Sequence, residues 1–197
     1  ITVYPDTPEP DFSPANTIEK DGFAELNIKM STHSGTHIDA PSHILQGKKN
    51  IDQFPLEKFI GKAKLIDCSQ NKSIEPSDLL PYEHEFDQLD FLLFYTGWQA
   101  KWKSEAYFDG FPLLSHKAVQ YLMNYSWKGF GFDAISVDQV NSFELVNHHI
   151  LLENEVLIIE NLCNLDQLVE KDFIFHCIPL RIQNADGSPI RAFAKIM

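Results

Sequence analysis

Residues 31 to 44 read STHSGTHIDAPSHI, which puts His33, His37, Asp39 and His43 close together in a chain with eight histidines. Imidazole nitrogens beside a carboxylate are the donor set of Zn²⁺, with Mn²⁺ and Fe²⁺ as further possibilities. No cysteine lies near them, which disfavours a closed structural zinc of the finger type. The spacing also speaks about the backbone. In AELNIKM the apolar Ala24, Leu26, Ile28 and Met30 alternate with Glu25, Asn27 and Lys29, which predicts a half-buried strand. Carried forward with a period of two, that phase puts His33, Gly35, His37, Asp39, Pro41 and His43 on one side. Thr36, Ile38 and Ala40 take the other. A helix would turn Asp39 away from His33 and His37, and Gly35 and Pro41 both oppose one.

A straight strand would still hold His33 and His37 about 13 Å apart, at roughly 3.3 Å per residue. Nitrogens that share one ion must each come within roughly 2.0–2.1 Å of it. The backbone therefore has to bend. Gly35 can do so at little steric cost, and Ala40-Pro41 offers a second turn ahead of His43. Farther along, Glu160 closes the apolar run EVLIIE, where a carboxylate is costly unless it is paired or ligated.

The elements that must position these groups follow from the same reading. Residues 1–20, with Pro5, Pro8, Pro10 and Pro14, read as an extended arm. Because the chain starts at Ile1 without a Met, a segment is expected to precede it. AKLIDCS, FLLFYTG, GFGFDAI and EVLIIE read as strands, with DFIFHCIPLRI as the last one. LSHKAVQYLMNYSWKG reads as a helix with Ser115 as N-cap and Gly129 just past its end, and residues 141–153 as another. Strands interleaved with helices make an α/β domain, taken as one domain over 1–197.

Composition excludes several classes. Sixteen basic against twenty-eight acidic residues give a formal charge of −12, which argues against a nucleic-acid partner and favours solubility. Without an apolar run of about eighteen residues no membrane helix is expected. Cys68, Cys163 and Cys177 are scattered, so we expect buried packing residues in a reducing, cytoplasmic compartment rather than disulfides. His84, His116 and His176 have no partner pattern and read as structural. Ser34 lacks a nucleophile elbow. Asp133 and Asp138, in GFDAISVD, lie near a strand end where a carboxylate can brace a ligand histidine or, equally, act as a structural cap.

HSGTHIDAPSH fits the pattern HxGTHxDxPxH and so resembles the cyclase-like metal-dependent hydrolases, the family of bacterial kynurenine formamidase and isatin hydrolase. FLLFYTGWQAKW, FPLLSHKAVQYL and GFDAISVD resemble the middle of that family, and NADGSPIRAFA its C-terminal ending. The resemblance implies a swivelling β/β/α single domain with a mixed sheet, assembled as dimers or tetramers. It implies two zinc ions, with manganese as the alternative. His33, His37 and Asp39 would hold one, and Asp39, His148 and Glu160 the other, the two carboxylates being shared. His148 and Glu160 supply the family's His and Glu twelve residues apart. His149 misses by one, and on a helix it points about 100° away. By the same resemblance His43 is the general acid/base. Tyr4, before Pro5, stands where kynurenine formamidases carry a Trp that contacts an aromatic substrate. The activity implied is hydrolysis of the C–N bond of a small aryl formamide, N-formylkynurenine, to kynurenine and formate. Hydrolysis of a cyclic amide such as isatin, or of another small ester or lactone, is the alternative. A catalytically silent metal-binding protein is the reading from outside enzymology, and the six filled positions speak against it.

Overall fold

The structure, a computed structural model, describes residues 3–4 and 7–197. The chain begins with an antiparallel hairpin of β1 (Asp11–Asn16) and β2 (Glu25–Lys29), joined through the short helix α1 (Ile18–Asp21). There follow β3 (His37–Asp39), β4 (Ile60–Asp67), β5 (Ser73–Ile74), α2 (Pro76–Leu79), β6 (Phe91–Tyr95), β7 (Leu113–Leu114) and α3 (His116–Leu122). The chain ends with β8 (Gly129–Phe132), α4 (Val146–Glu153), β9 (Leu157–Glu160), β10 (Phe173–His176), β11 (Gly187–Pro189) and β12 (Phe193–Ile196). The main sheet runs in the order β11-β3-β9-β8-β6-β4-β10-β12. Its inner four strands, β9, β8, β6 and β4, are parallel, and antiparallel strands flank them on both sides. This is the mixed α/β sheet expected from the alternation of strands and helices.

The inner strands are apolar throughout because both of their faces are covered. Leu92, Phe94, Phe130 and Ile158 pack with Val119 of α3 and Leu151 of α4. Phe91, Leu93, Leu157, Ile159 and Ile38 fill the opposite face with Phe173 and Phe175. Alternation along a strand then decides where the polar groups go. Glu160 is in phase with Ile158, and His37 and Asp39 flank Ile38. All three therefore point to the helix-covered side, at the carboxyl end of β9.

Five local expectations are corrected. β2 is a strand, but Leu26 and Ile28 are 56% and 62% exposed, because the hairpin stands off the main sheet. Much of the proline-rich arm is β1 rather than unpaired chain. Ser115 does cap α3, accepting from the Ala118 N–H at 3.2 Å, but the helix stops at Leu122. There the indole N–H of buried Trp127 donates to the Leu122 carbonyl at 2.8 Å, and Gly129 instead opens β8. The strand in DFIFHCIPLRI ends at His176, ahead of Pro179, which cannot extend a ladder, and β11 and β12 still follow. The second expected helix begins only at Val146, after Leu145 in the left-handed region at φ 43°.

Candidate metal centre

The two bends required by the histidine spacing are present. Gly35 sits at φ 65°, which glycine adopts without steric cost. Pro41–His43 is a turn of 3-10 helix that follows β3. The first bend folds His33 back, so that its ring centroid lies 5.0 Å from that of His37. β3 pairs antiparallel with β9 in a register that sets His37 directly opposite Glu160. Cross-strand partners keep their Cβ atoms roughly 5 Å apart, which brings a ligand pair together from residues far apart in sequence. His148, in the first turn of α4, then reaches the same point from above the sheet.

The structure thus collects His33, His37, Asp39, His148 and Glu160. His33 Nδ1 lies 2.7 Å and His37 Nε2 3.3 Å from Asp39 Oδ1. Glu160 divides its two oxygens, Oε2 at 3.4 Å from His37 Nε2 and Oε1 at 3.8 Å from His148 Nε2. His43 joins the group from the 3-10 turn, its ring centroid 4.0 Å from that of His33 and 6.1 Å from that of His148. Asp39 and Glu160 are 1% and 5% exposed, yet Asp39 Oδ1 and Glu160 Oε1 lack any hydrogen bond. Buried carboxylate oxygens left this way are costly, and their aim toward imidazole nitrogens fits a shared cation. The donor set, three imidazoles and two carboxylates without a thiolate, suits a dication such as Zn²⁺ or Mn²⁺.

His37, His148 and His33 are each held from behind at the nitrogen turned away from the cluster. His37 Nδ1 lies 2.8 Å from the Gly35 carbonyl, which also accepts from the Asn161 amide at 3.0 Å. His148 Nδ1 lies 2.8 Å from Asp138 Oδ2. His33 Nε2 lies 3.1 Å from Asp186 Oδ2. A partner of this kind fixes the ring and its tautomer. Electrostatics follow the same contacts. Burial alone would lower the His33 pKa, but Asp39 and Asp186 outweigh it and raise it to about 10. Burial likewise opposes charge on His37 and His148, and the adjoining carboxylates raise both. Burial favours the neutral form of Asp39, against which His33 and His37 hold its carboxyl well below the usual range.

With this geometry in hand, comparison with known proteins is decisive. The family model Cyclase, described as "Putative cyclase", matches residues 1–139. The chain is 35% identical to the kynurenine formamidase of Geobacillus thermodenitrificans over 199 residues, spanning 100% of this chain and 92% of that one. The chain belongs to the cyclase family. Another relative is the kynurenine formamidase of Bacillus mycoides, 33% identical over 98% of this chain and 90% of its own. Among solved structures, an isatin hydrolase bound to the product analogue thioisatinate superposes with a TM-score of 0.85 at 27% identity, covering 98% and 86% of the two chains. A structure described as a predicted metal-dependent hydrolase from Bacillus stearothermophilus gives 0.75 at 27% identity, covering 98% and 90%.

Other candidate residues of this cyclase-family chain sort by position. Asp138 contacts His148 of the cluster, whereas Asp133 contacts no histidine there. Asp133 Oδ1 accepts instead from the N–H and hydroxyl of Thr96, at 3.0 and 2.6 Å. His149 is exposed beside Glu153, away from the cluster. His84 is exposed, His176 stacks on Phe193, and His116 opens α3. Cys68 and Cys177 are buried as expected, but Cys163 is exposed. It lines a cleft of about 550 Å³ bounded also by Thr36, Tyr95, Trp102 and Asn161. The Tyr4 hydroxyl donates to the Val140 carbonyl, burial and the charge of Glu160 raise its pKa, and Pro5 lies outside the described residues. Sequence reasoning missed Asp186 and Asn161. Asn161 follows Glu160 directly, but nothing local tied Asp186, in the turn NADGSP, to a histidine.

Proposed function

We propose that this chain is a metal-dependent amidohydrolase of the arylformamidase type, cleaving N-formylkynurenine to kynurenine and formate in tryptophan catabolism. The observation that carries this is the pair of buried carboxylates, Asp39 and Glu160, whose unbonded oxygens face imidazole nitrogens from two distant segments. The full-length likeness to kynurenine formamidases supports the substrate class. His33, His37 and Asp39 are assigned to one ion and Asp39, His148 and Glu160 to a second. Glu160 suits the bridging role because its two oxygens face different histidines. Zinc is the proposed metal and manganese the alternative.

When bound, such an ion supplies an activated water at neutral pH and polarises a carbonyl. The chain's own residues do the rest. Hydrolysis adds oxygen to the formyl carbon and breaks its bond to nitrogen, and the departing amine needs a proton. His43 is assigned to deliver it, since an imidazole exchanges protons near neutral pH. Tyr4, 38% exposed and anchored on Val140, is assigned to the aryl group of the substrate. The likeness to isatin hydrolases favours ring opening of a cyclic amide as a second reading.

We further propose a homo-oligomer. Phe12, Ile18, Phe23, Leu26 and Ile28 are 48–67% exposed on a hairpin outside the main sheet, and an isolated two-stranded hairpin is marginal in water. Three free cysteines support a reducing compartment. The test is turnover by Zn²⁺- and Mn²⁺-loaded protein, reading formate from N-formylkynurenine against ring opening of isatin. Formate release at a kcat/KM of at least about 10⁴ M⁻¹s⁻¹, a typical enzymatic value, is expected. Turnover of isatin alone selects the second reading, and none by metal-loaded protein selects a silent scaffold.

A further inference from the structure

His33 and His43 lean on a carboxylate that nothing in the histidine-rich segment contains. Asp186 lies just ahead of β11, and its main-chain carbonyl accepts from the Ala40 N–H at 2.8 Å, so it is carried on the edge of β3. Its Oδ1 accepts from the Thr32 hydroxyl at 2.8 Å. Its Oδ2 is thereby aimed at two rings, 3.1 Å from His33 Nε2 and 3.5 Å from His43 Nδ1. The second distance is that of an ion pair, and His43 Nδ1 is a buried atom without a hydrogen bond. Apo-form contacts of this length in active sites commonly shorten on substrate binding. The approach depends on Gly187. A Cβ there would stand 2.7 Å from the Ile38 carbonyl oxygen and 2.9 Å from His33 Cε1. Any side chain at 187 would push His33 off Asp186.

We propose that Asp186 is a positioning residue that couples the metal site to the acid/base, one carboxylate oxygen setting the rings of both His33 and His43. This rests on the reading of His33 as a ligand and His43 as the proton donor. With Nδ1 of His43 facing Asp186, only Nε2 is left to exchange a proton with substrate. Because one oxygen serves both rings, a shift of His33 on metal loading moves the atom that orients His43. The carboxylate touches neither substrate nor metal in this scheme and acts wholly through the two imidazoles.

The test uses Asp186→Asn, which keeps the shape of the side chain, read in two ways. Metal affinity, by competition against a chromogenic chelator without substrate, should fall 10- to 100-fold, the usual loss for a partner behind a ligand histidine. At saturating metal, kcat should fall by about the same factor with KM within about twofold. In a His43→Ala background the same substitution should lower metal affinity equally but take nothing further from kcat, since the ring it orients is gone. A kcat loss as large in the His43→Ala background as in the native one overturns the coupling, as does an Asp186→Asn protein with native metal affinity. Should Asp186→Asn fail to fold, Thr32→Val leaves the carboxylate in place and frees only its other oxygen. It should give a smaller loss of the same pattern, and native behaviour there overturns the proposal. The chelator arm needs no substrate, so wild-type protein that binds metal but leaves formamides untouched would sink the assigned activity while the role of Asp186 is still measured.

Discussion

At the scale of single residues, the proposed roles separate groups that hold charge in place from one, His43, that hands it on. Asp39 is nearly sealed and lies near nitrogens of both His33 and His37, so removing it leaves two imidazoles without their common partner. His43 is about a third exposed and pairs with Asp186 at the rim. Asp39→Ala should therefore lose both metal and turnover. His43→Ala should keep its metal and lose about 10²- to 10⁴-fold in kcat. Elemental analysis of the two purified variants checks this directly, and equal depletion would show the division of roles to be wrong. Four of these side chains were legible because a two-residue period and two breakers announce them within eleven positions. His148 and Glu160 needed the family resemblance to be joined to them. Asp186 was illegible because its contact depends on strand pairing 147 positions downstream of Asp39, as the register of β11 on β3 shows.

At the scale of elements, α4 is the part whose placement matters most. Asp138 accepts from the N–H groups of Asn147 and His148, at 3.1 and 3.0 Å, and so caps the helix while it also holds the His148 ring. One carboxylate thus sets the start of a helix and the direction of the His148 ring. Asp138→Ala should cost about 1 kcal/mol or more in stability through the lost cap, and lower metal affinity about 10- to 100-fold. Urea unfolding of the metal-free protein isolates the first effect, and chelator competition the second. A variant with native affinity would mean that the His148 ring needs no brace. The four inner strands of the main sheet, β4, β6, β8 and β9, were readable from apolar runs because both of their faces are buried. The hairpin misled for the complementary reason: alternation of apolar and polar residues reports that one face wants cover, not that the same chain provides it. The α3 boundary was misplaced because the Trp127 indole ends the helix through a tertiary contact.

At the scale of the whole molecule, the proposed metal site makes protons and cations competitors for one set of donors. His33 titrates near 10 in the metal-free fold against an ordinary 6.5. A raised value means stabilisation that is complete below pH 6.5 and disappears as pH climbs through 10. A bound ion must expel that proton, so its affinity rises over the same range. The gap in Tm between metal-loaded and chelator-stripped protein should therefore widen from pH 6.5 to 9.5, and a gap that narrows would contradict the charge scheme. Assembly belongs to this scale too. Replacing Leu26 and Ile28 by Glu should reduce the mass measured by analytical ultracentrifugation, with far-UV circular dichroism unchanged. An unaltered mass would place the contact between copies elsewhere. The net charge of −12 argues against a nucleic-acid partner, but no count of residues could say which apolar groups would be left outside.

Two of the three thiols are sealed in the interior, which leaves Cys163 open to reagents on the wall of a cleft shared with Thr36 and Asn161. Those two neighbours join the loop after β9 to the Gly35 bend, through the Thr36 hydroxyl and the Asn161 amide. A fluorinated maleimide could thus be attached at a single native position, without engineering. Its resonance would report on the loop that ties β9 to the Gly35 bend as metal is added.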